Sequence, residues 1–198
     1  MFDVKYILWF MMVLKVRIFV TESFVVQDCY YFDPQTTDKN RYTVESGGAS
    51  ITYGPNGCTI TGTANSVSLV KNTALTLPSE YEATFEITGL NGESSATRQA
   101  YGGVVFDDWF TDWYNNSDCA TYKLSTTDML SRNLQNPSVN DVIKIVREGN
   151  TMKQYINDVL VSTDTNINHT GYFQHRTYKY GSNPGRSITV KNLKIKPL

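Results

Sequence analysis

The stretch Asp141–Asp164 constrains the fold of this chain more than any other part of the sequence. Two of its segments, Val142–Arg147 and Thr151–Ile156, alternate apolar and polar residues, and a third short run, Val159–Thr163, follows them. Alternation puts successive side chains on opposite faces of a strand. The linking dipeptides, Gly149-Asn150 and Asn157-Asp158, accept the positive φ angles of tight hairpin turns. The stretch therefore predicts a three-stranded antiparallel meander with Ile143 and Ile145 on one face.

Short strands separated by turns continue along most of the chain, with turns roughly every 8–12 residues, the spacing of a sandwich or barrel. The best patterned is Glu80–Thr88, whose apolar residues all fall on one face. We expect Ser125–Asn140 to be mostly loop and Pro197 to end the last strand. The other predicted strands are Lys15–Phe24, Tyr42–Val44, Ala49–Tyr53, Cys58–Thr61, Ser66–Val70, Ala74–Leu77, Tyr101–Phe106, Tyr122–Leu124, Tyr172–Tyr178 and Ser187–Ile195.

Composition limits the classes of protein that this chain can belong to. Its 198 residues carry a formal net charge of -1, which argues against a nucleic-acid-binding protein, because such proteins present a basic face. The three cysteines, Cys29, Cys58 and Cys119, are too few and too widely spaced for a disulfide framework or a zinc site. We expect buried free thiols and a reducing compartment, with one bridge and one spare thiol as the alternative.

Residues 1–14 form an apolar extension ahead of a single β-sandwich domain predicted for residues 15–198. The unbroken apolar run Tyr6–Leu14 is too short for a membrane-spanning helix, which needs about 20 residues. It has the charged start and apolar middle of a signal peptide but lacks a small-residue cleavage site. Three interpretations stay open: a signal anchor, a strand or helix packed on the domain, and an extension upstream of a start at Met11 or Met12.

Several stretches resemble the concanavalin A-like jelly-roll superfamily. NRYTV at 40–44 with GGASITYGPNGCTITG at 47–62 is similar to the opening of these domains, Asp141–Ser162 to their central hairpin, and Ser187–Leu198 to their closing strand. The resemblance covers most of residues 25–198 and implies an all-β sandwich of two stacked antiparallel sheets, one of them concave. The superfamily includes lectins, laminin-G-like modules, glycan-binding modules, glucanases and domains of phage virion proteins. The compact layout is most similar to the small virion-associated members.

One segment, GGVVFDDWFTDWYNN at 102–116, combines aromatic rings with carboxylates and amides. Sugars are bound by a ring under their C–H face and by carboxylate or amide groups on their hydroxyls. We expect this segment to supply a loop at the rim of the sandwich, where binding residues commonly lie. Packing of Trp109 and Trp113 over the core is the alternative. The predicted glycan- or partner-binding residues are Asp107, Asp108, Trp109, Asp112, Trp113, Tyr114, Asn115 and Asn116.

Asp107, Asp108 and Asp112 are also weak candidates for calcium ligands. Calcium takes roughly six to eight oxygen ligands, and these aspartates, with the neighbouring amides, offer several oxygens. Their spacing matches no EF-hand loop. We therefore expect no cofactor, with calcium as the alternative.

No catalytic residue is predicted. Glucanases that this chain resembles carry their two carboxylates in a Glu-x-Asp-x-x-Glu type motif, and Glu80, Glu82 and Glu86 depart from it, because no Asp lies between them. A solvated strand face accounts for these acids. The two histidines, His169 and His175, accompany no nucleophile signature and lack metal-ligand spacing.

These observations predict a non-catalytic binding or structural module. By resemblance it would be a virion protein, such as a tail fibre or capsid decoration domain, assembled in the host cytoplasm. Its partners would be carbohydrate or neighbouring virion subunits, including copies of itself, and a membrane only if residues 1–20 are an anchor. The alternatives are a secreted or membrane-anchored carbohydrate-binding protein and a glycoside hydrolase of the same fold.

Overall fold

A computed structural model describes residues 30–32, 42–72, 76–92, 100–114, 118–179 and 185–198. The chain divides into two compact units, Met1–Tyr30 and Tyr31–Leu198, and apart from Tyr30 every described residue belongs to the second. Within these ranges the regular structure is all β-strand, and no helix long and apolar enough to cross a membrane occurs there. Cys29, the predicted extension 1–14, the domain boundary after it and the strand predicted at 15–24 lie outside the described residues.

The described strands form two antiparallel sheets. In chain order they are β1 (Tyr30–Phe32), β2 (Tyr42–Ser46), β3 (Ala49–Gly54), β4 (Gly57–Gly62), β5 (Val67–Asn72), β6 (Tyr81–Asn91), β7 (Ala100–Phe106), β8 (Trp109–Tyr114), β9 (Asp118–Lys123), β10 (Met129–Gln135), β11 (Val142–Glu148), β12 (Thr151–Ile156), β13 (Val159–Asp164), β14 (Phe173–Tyr178) and β15 (Ser187–Pro197). The first sheet has the order β13-β12-β11-β6-β15-β4-β3, with β1 also paired to β15. The second has the order β10-β9-β8-β7-β14-β5-β2. The predicted all-β class is confirmed.

The predicted meander is present as β11, β12 and β13. Ile143 of β11 pairs with Ile156 of β12, and alternate residues of β11 are buried while Val142 is exposed. The turn between β12 and β13 places Asn157 and Asp158 at φ angles of 49° and 64°. One-sided burial and turn chemistry therefore fix this register, as the sequence pattern predicted.

The core lies between the inner faces of the two sheets. Tyr81 and Phe85 of β6 meet rings from the second sheet, with centroid distances of 6.0 Å to Phe106 and 6.4 Å to Trp113. Burying each such side chain contributes on the order of 1.5–3 kcal/mol. Cys58 and Cys119 are buried free thiols, as predicted, and burial raises the pKa of each to about 12.

Two strands lie where loop was predicted. β8 was missed because both of its faces are covered, so its sequence shows no alternation of polarity. β10 was missed because register shifts on either side of Ser131–Arg132 interrupt its pattern, and Asn133 adopts a φ of 56°.

One predicted strand is not confirmed. Thr76 and Leu77 are not in a strand, and residues 73–75 lie outside the described part of the chain. β15 ends at Pro197, as predicted, although it continues beyond Ile195; the missing N–H of Pro197 is tolerated at the end of the strand.

Replacing Gly149 by alanine is expected to destabilise the domain by about 1 kcal/mol. Gly149 has a φ of 56°, and a Cβ built there meets no atom within 4 Å. The cost is therefore conformational rather than steric. Gly54 has the same open surroundings without a positive φ, so Gly54→Ala is the matched control. Urea unfolding should show a loss for the first variant and none for the second; equal stabilities would contradict the turn assignment.

Candidate functional site

The predicted binding segment forms a hairpin rather than a rim loop. β7 pairs with β8 through Phe106 and Trp109, and Asp107-Asp108 forms the turn between them. Asp107 has a φ of 58°, a conformation that aspartate tolerates better than most residues. The rim-loop placement is therefore wrong, and the described part of the segment belongs to the second sheet.

Both predicted tryptophans point into the core. Trp109 and Trp113 are fully buried, and the Trp109 indole N–H donates to Asp164 Oδ2 at 2.9 Å. Their rings pack between the sheets, so neither offers a face on which a sugar ring could stack. The packing interpretation applies to these two residues.

Asp107 holds the connection between β13 and β14. Its Oδ1 atom accepts hydrogen bonds from the backbone N–H groups of Thr170 at 2.9 Å and Gly171 at 2.8 Å. His169 Nδ1 lies 3.0 Å from the same oxygen. The carboxylate is thus occupied by donors from within the chain.

The other oxygen of Asp107 faces the interior. It accepts from the Tyr81 hydroxyl at 3.0 Å and lies 3.5 Å from a terminal nitrogen of Arg147. Arg147 is buried, and its remaining N–H groups reach the backbone oxygens of Ser79 at 2.9 Å and Ile167 at 3.3 Å. This arrangement is a buried ion pair that joins both sheets to the loop.

Asp108 has a similar structural environment. It accepts from the Ser125 backbone N–H at 2.7 Å, the Ser125 hydroxyl at 3.0 Å and the Asn168 side-chain amide at 3.0 Å. Lys123 Nζ lies 3.9 Å away. The carboxylate oxygens of Asp107 and Asp108 therefore accept hydrogen bonds from N–H and O–H donors. A calcium ion would need the same oxygens as ligands, together with further oxygen atoms around it. No group of three or more acidic, histidine or cysteine side chains placed to hold a metal occurs among the described residues.

The remaining predicted residues divide between an outward face and an undescribed segment. Because Trp109 and Trp113 point inward, Asp112 and Tyr114 project from the opposite face of β8. Asn115 and Asn116 lie outside the described residues. On that outward face six side chains form what we call the outer cluster: Phe110, Asp112, Tyr114, Tyr122, Arg176 and Tyr178.

Aromatic stacking builds one side of the outer cluster. Phe110 and Tyr122 are neighbours in the β8–β9 register and stack with centroids 4.8 Å apart and planes inclined by 12°. The Arg176 guanidinium lies 3.8 Å from the centroid of Phe110, a cation–π geometry. The hydroxyl groups of Tyr114 and Tyr122 share a hydrogen bond of 2.8 Å. Two neighbouring strands, β8 and β9, and the more distant β14 thus contribute to one surface.

A carboxylate and a guanidinium form the polar centre of the outer cluster. The Tyr178 hydroxyl donates to Asp112 Oδ2 at 2.6 Å, and Arg176 Nε lies 3.4 Å from Asp112 Oδ1. Gly103 lies between Asp112 and Arg176 in the sheet register, which leaves room for the pair. Burial raises the pKa of Asp112, and Arg176 and the Tyr178 hydroxyl oppose that rise.

Most of the outer cluster was not predicted. Arg176 and Tyr178 come from a strand remote in sequence, Tyr122 comes from the next strand along the chain, and Phe110 was noted only as part of an aromatic run. Assigning β8 as a strand would have separated Phe110, Asp112 and Tyr114 from the two tryptophans by alternation alone. The position of Arg176 and Tyr178 beside these residues follows only from the order of strands in the sheet, in which β14 lies next to β7.

The acids and histidines considered for catalysis lie elsewhere. Glu82 and Glu86 are partly exposed on the outer face of β6, as predicted, and Glu80 precedes the strand. Hydrogen bonds from Asn192 and Lys191 hold the pKa of Glu86 below its usual value. His175 is buried on the inner face of the second sheet. None of these residues belongs to the outer cluster.

No family model and no curated protein matches the sequence. Solved structures do match. A carbohydrate binding module, CBM66 from Bacillus subtilis, superposes with a TM-score of 0.58 and 17% identity over 79% of this chain and 95% of that one. A Bacillus subtilis protein of unknown function with a galectin-like fold has a TM-score of 0.63 and 8% identity over 85% and 98%. The Crh5 transglycosylase in complex with NAG has a TM-score of 0.61 and 13% identity over 86% and 84%.

These likenesses establish the fold. The architecture is a jelly-roll, galectin-like β-sandwich, in agreement with the resemblance of the sequence to concanavalin A-like domains. The same fold carries a binding module in one of these structures and a transglycosylase in another, so function has to be argued from this chain's own residues.

Proposed function

We propose that this chain is a non-catalytic carbohydrate-binding module whose ligand contacts the outer cluster. The observation that carries the proposal is the combination of stacked rings, a guanidinium, a carboxylate and phenolic hydroxyls on one outward face. Aromatic surfaces with a few fixed polar groups suit sugars, which present C–H faces and hydroxyls together. The likeness to a carbohydrate binding module supports the same conclusion.

Ligand contacts would fall on the partly exposed members of the outer cluster. Phe110 and Asp112 are nearly inaccessible, whereas Tyr114, Tyr122, Arg176 and Tyr178 retain exposed surface. Phe110 and Asp112 therefore support the exposed side chains of the outer cluster and fix their orientation. Fixed orientation favours binding because less side-chain freedom is lost when the ligand arrives.

The outer cluster does not supply the chemistry of a glycoside hydrolase. That reaction needs two carboxyl groups on either side of the scissile bond. The outer cluster as defined contains one, Asp112, which is already engaged by Tyr178 and Arg176. Binding without cleavage is the function that these residues support.

The proposal extends to a role in a virus particle, where the module would be a tail fibre or decoration domain that contacts glycans or neighbouring subunits. What supports this part is the similarity of the sequence layout to small virion-associated jelly rolls. Mass spectrometry of purified particles from a host that carries the gene would detect the chain if it is a virion component. Its absence from particles would leave a free or anchored glycan-binding protein.

Replacing Tyr122 by leucine is expected to weaken glycan binding at least tenfold, about 1.4 kcal/mol. The change removes the ring that stacks on Phe110 and the hydroxyl that meets Tyr114. The full chain would first be screened on a glycan array, and the strongest ligand then titrated by calorimetry against both forms. Tyr122→Phe, which keeps the ring, should retain more of the affinity than Tyr122→Leu.

The matched control is Tyr155→Leu, at a partly exposed tyrosine on the outer face of the first sheet. It should bind as the unaltered chain does. An array without any bound glycan would overturn the proposed function. Equal losses in both leucine variants, or none in either, would move the site away from the outer cluster.

A further inference from the structure

A group of buried polar atoms lies between the sheets, on the opposite side of β8 from the outer cluster. Gln154 of β12 is fully buried, and its side-chain amide reaches no hydrogen-bonding group among the described residues other than the Cys119 thiol. Ser162 of β13, its register partner, has an unpartnered hydroxyl. On the second sheet the Thr121 hydroxyl and the Trp113 indole N–H are likewise buried without partners in the described chain.

Register and contacts bring these atoms to one region. Trp113 pairs with Cys119, and Thr111 pairs with Thr121, on adjacent strands β8 and β9. Thr111 Oγ1 lies 3.1 Å from Cys119 Sγ. Burial raises the pKa of the Cys119 thiol to about 12, and the Gln154 amide is close enough to the sulfur to oppose that rise. Gln154 therefore faces the Cys119 region across the gap between the sheets.

Four buried polar atoms (the remaining amide atom of Gln154 and one each from Ser162, Thr121 and Trp113) have no hydrogen bond within the described chain. Leaving that many buried polar groups unpaired would cost a free energy comparable with the whole net stability of a domain. A well-ordered core therefore has to satisfy most of them with partners other than the described residues.

The chemistry of the four atoms identifies that partner. They are a mixture of donors, acceptors and hydroxyls that can serve as either, and none carries a formal charge. A cation would repel the Trp113 N–H donor, and an anion would meet the amide oxygen. Water is small, neutral and both donor and acceptor, and a buried water typically makes about three hydrogen bonds.

We propose that the sandwich encloses a permanent hydration site between β8–β9 and β12–β13, with at least one ordered water molecule bridging Gln154 and Ser162 to Thr121 and Trp113. One is the smallest number because a buried water makes at most about four hydrogen bonds, and four atoms need partners. This site is independent of glycan binding.

High-resolution crystallography of the full chain, together with water–protein nuclear Overhauser effects in solution, tests the proposal. We expect water density within hydrogen-bond distance of Gln154 and Ser162, and long-lived water cross-peaks at the Gln154 amide protons. Gln154→Met, a change of similar size, should lose at least one of these waters. A dry core in which the Gln154 amide pairs with protein atoms would overturn the proposal.

Two further variants keep the test decisive if Gln154→Met folds poorly. Ser162→Ala removes one hydroxyl and should displace or disorder the water that it holds, while the Gln154 cross-peaks weaken. Gln135→Met changes a glutamine at the exposed end of β10 and should leave the internal water signals unaltered. Water signals that survive in both Gln154→Met and Ser162→Ala would show that the waters lie elsewhere.

Discussion

Replacing Asp107 by asparagine is expected to lower the free energy of unfolding by about 3–5 kcal/mol, the range for removing one member of a buried ion pair. The change leaves Arg147 buried without its counter-charge. It also points the amide N–H of the new side chain at groups that donate hydrogen bonds to the Asp107 carboxylate in the unaltered chain. Asparagine is the informative substitution because it tolerates the φ of 58° at this turn, so backbone strain contributes little.

The measurement is urea unfolding followed by tryptophan fluorescence, since Trp109 lies directly after the turn. Glu148→Gln is the control: it breaks a surface pair with Lys153, at 2.6 Å, without touching the interior. Its unfolding midpoint should stay close to that of the unaltered chain. If Asp107→Asn behaved like this control, Asp107 would not be the residue that holds the loop between β13 and β14.

The stability of the domain is expected to fall steeply below pH 6.5 because of His175. Burial lowers the pKa of this imidazole from 6.5 to about 3. It lies between the rings of Tyr42 and Phe173, at 5.6 Å and 5.0 Å, and pairs in register with Val70 and Val104. Neither ring nitrogen has a hydrogen-bond partner within the described chain, so these surroundings offer no counter-charge to a protonated ring.

The unfolded chain therefore binds a proton at His175 before the folded chain does. The stabilising contribution is complete above pH 6.5 and is lost as the pH falls toward about 3. Linkage gives a loss of roughly 3 kcal/mol by about pH 4. His175→Phe should remove this part of the acid dependence, because phenylalanine fits an aromatic site and does not titrate.

Unfolding free energies of both forms, measured from neutral pH downward, test this expectation. At neutral pH the variant should lie within about 1.5 kcal/mol of the unaltered chain, as volume-conserving core changes usually do. The difference between the two curves isolates His175, because every other titratable group is present in both forms. Parallel curves would mean that His175 has the same pKa in the folded and the unfolded chain, and would contradict the effect of burial.

One-sided burial explains what the sequence predicted well. In β6 one face meets the core and the other is partly exposed, so the alternation of residues records the orientation of the strand directly, and β11 follows the same pattern from Val142 to Ile145. Asn157-Asp158 adds the backbone conformation of the turn. These local signals were sufficient for the class, the meander and most of the strands.

The site was harder to predict because β8 carries aromatic residues on both faces. Trp109 and Trp113 fill the core, and Phe110 lies beneath Arg176, so polarity does not distinguish inside from outside along this strand. The pairing of Asp112 with Arg176 depends on β14 lying next to β7, a contact between residues far apart in sequence. Sheet order of this kind is set by the packing of the whole domain rather than by any local pattern.

The central position of β15 has a consequence for how the domain forms. β6 with β11–β13 on one side, and β4 with β3 on the other, are joined only when residues 187–197 enter between them. Until those residues leave the ribosome, two strand edges stand open on a nascent chain, and open edges invite pairing with other chains. The first sheet is therefore completed only by long-range pairing of β15 on both of its sides, a kind of contact that slows folding.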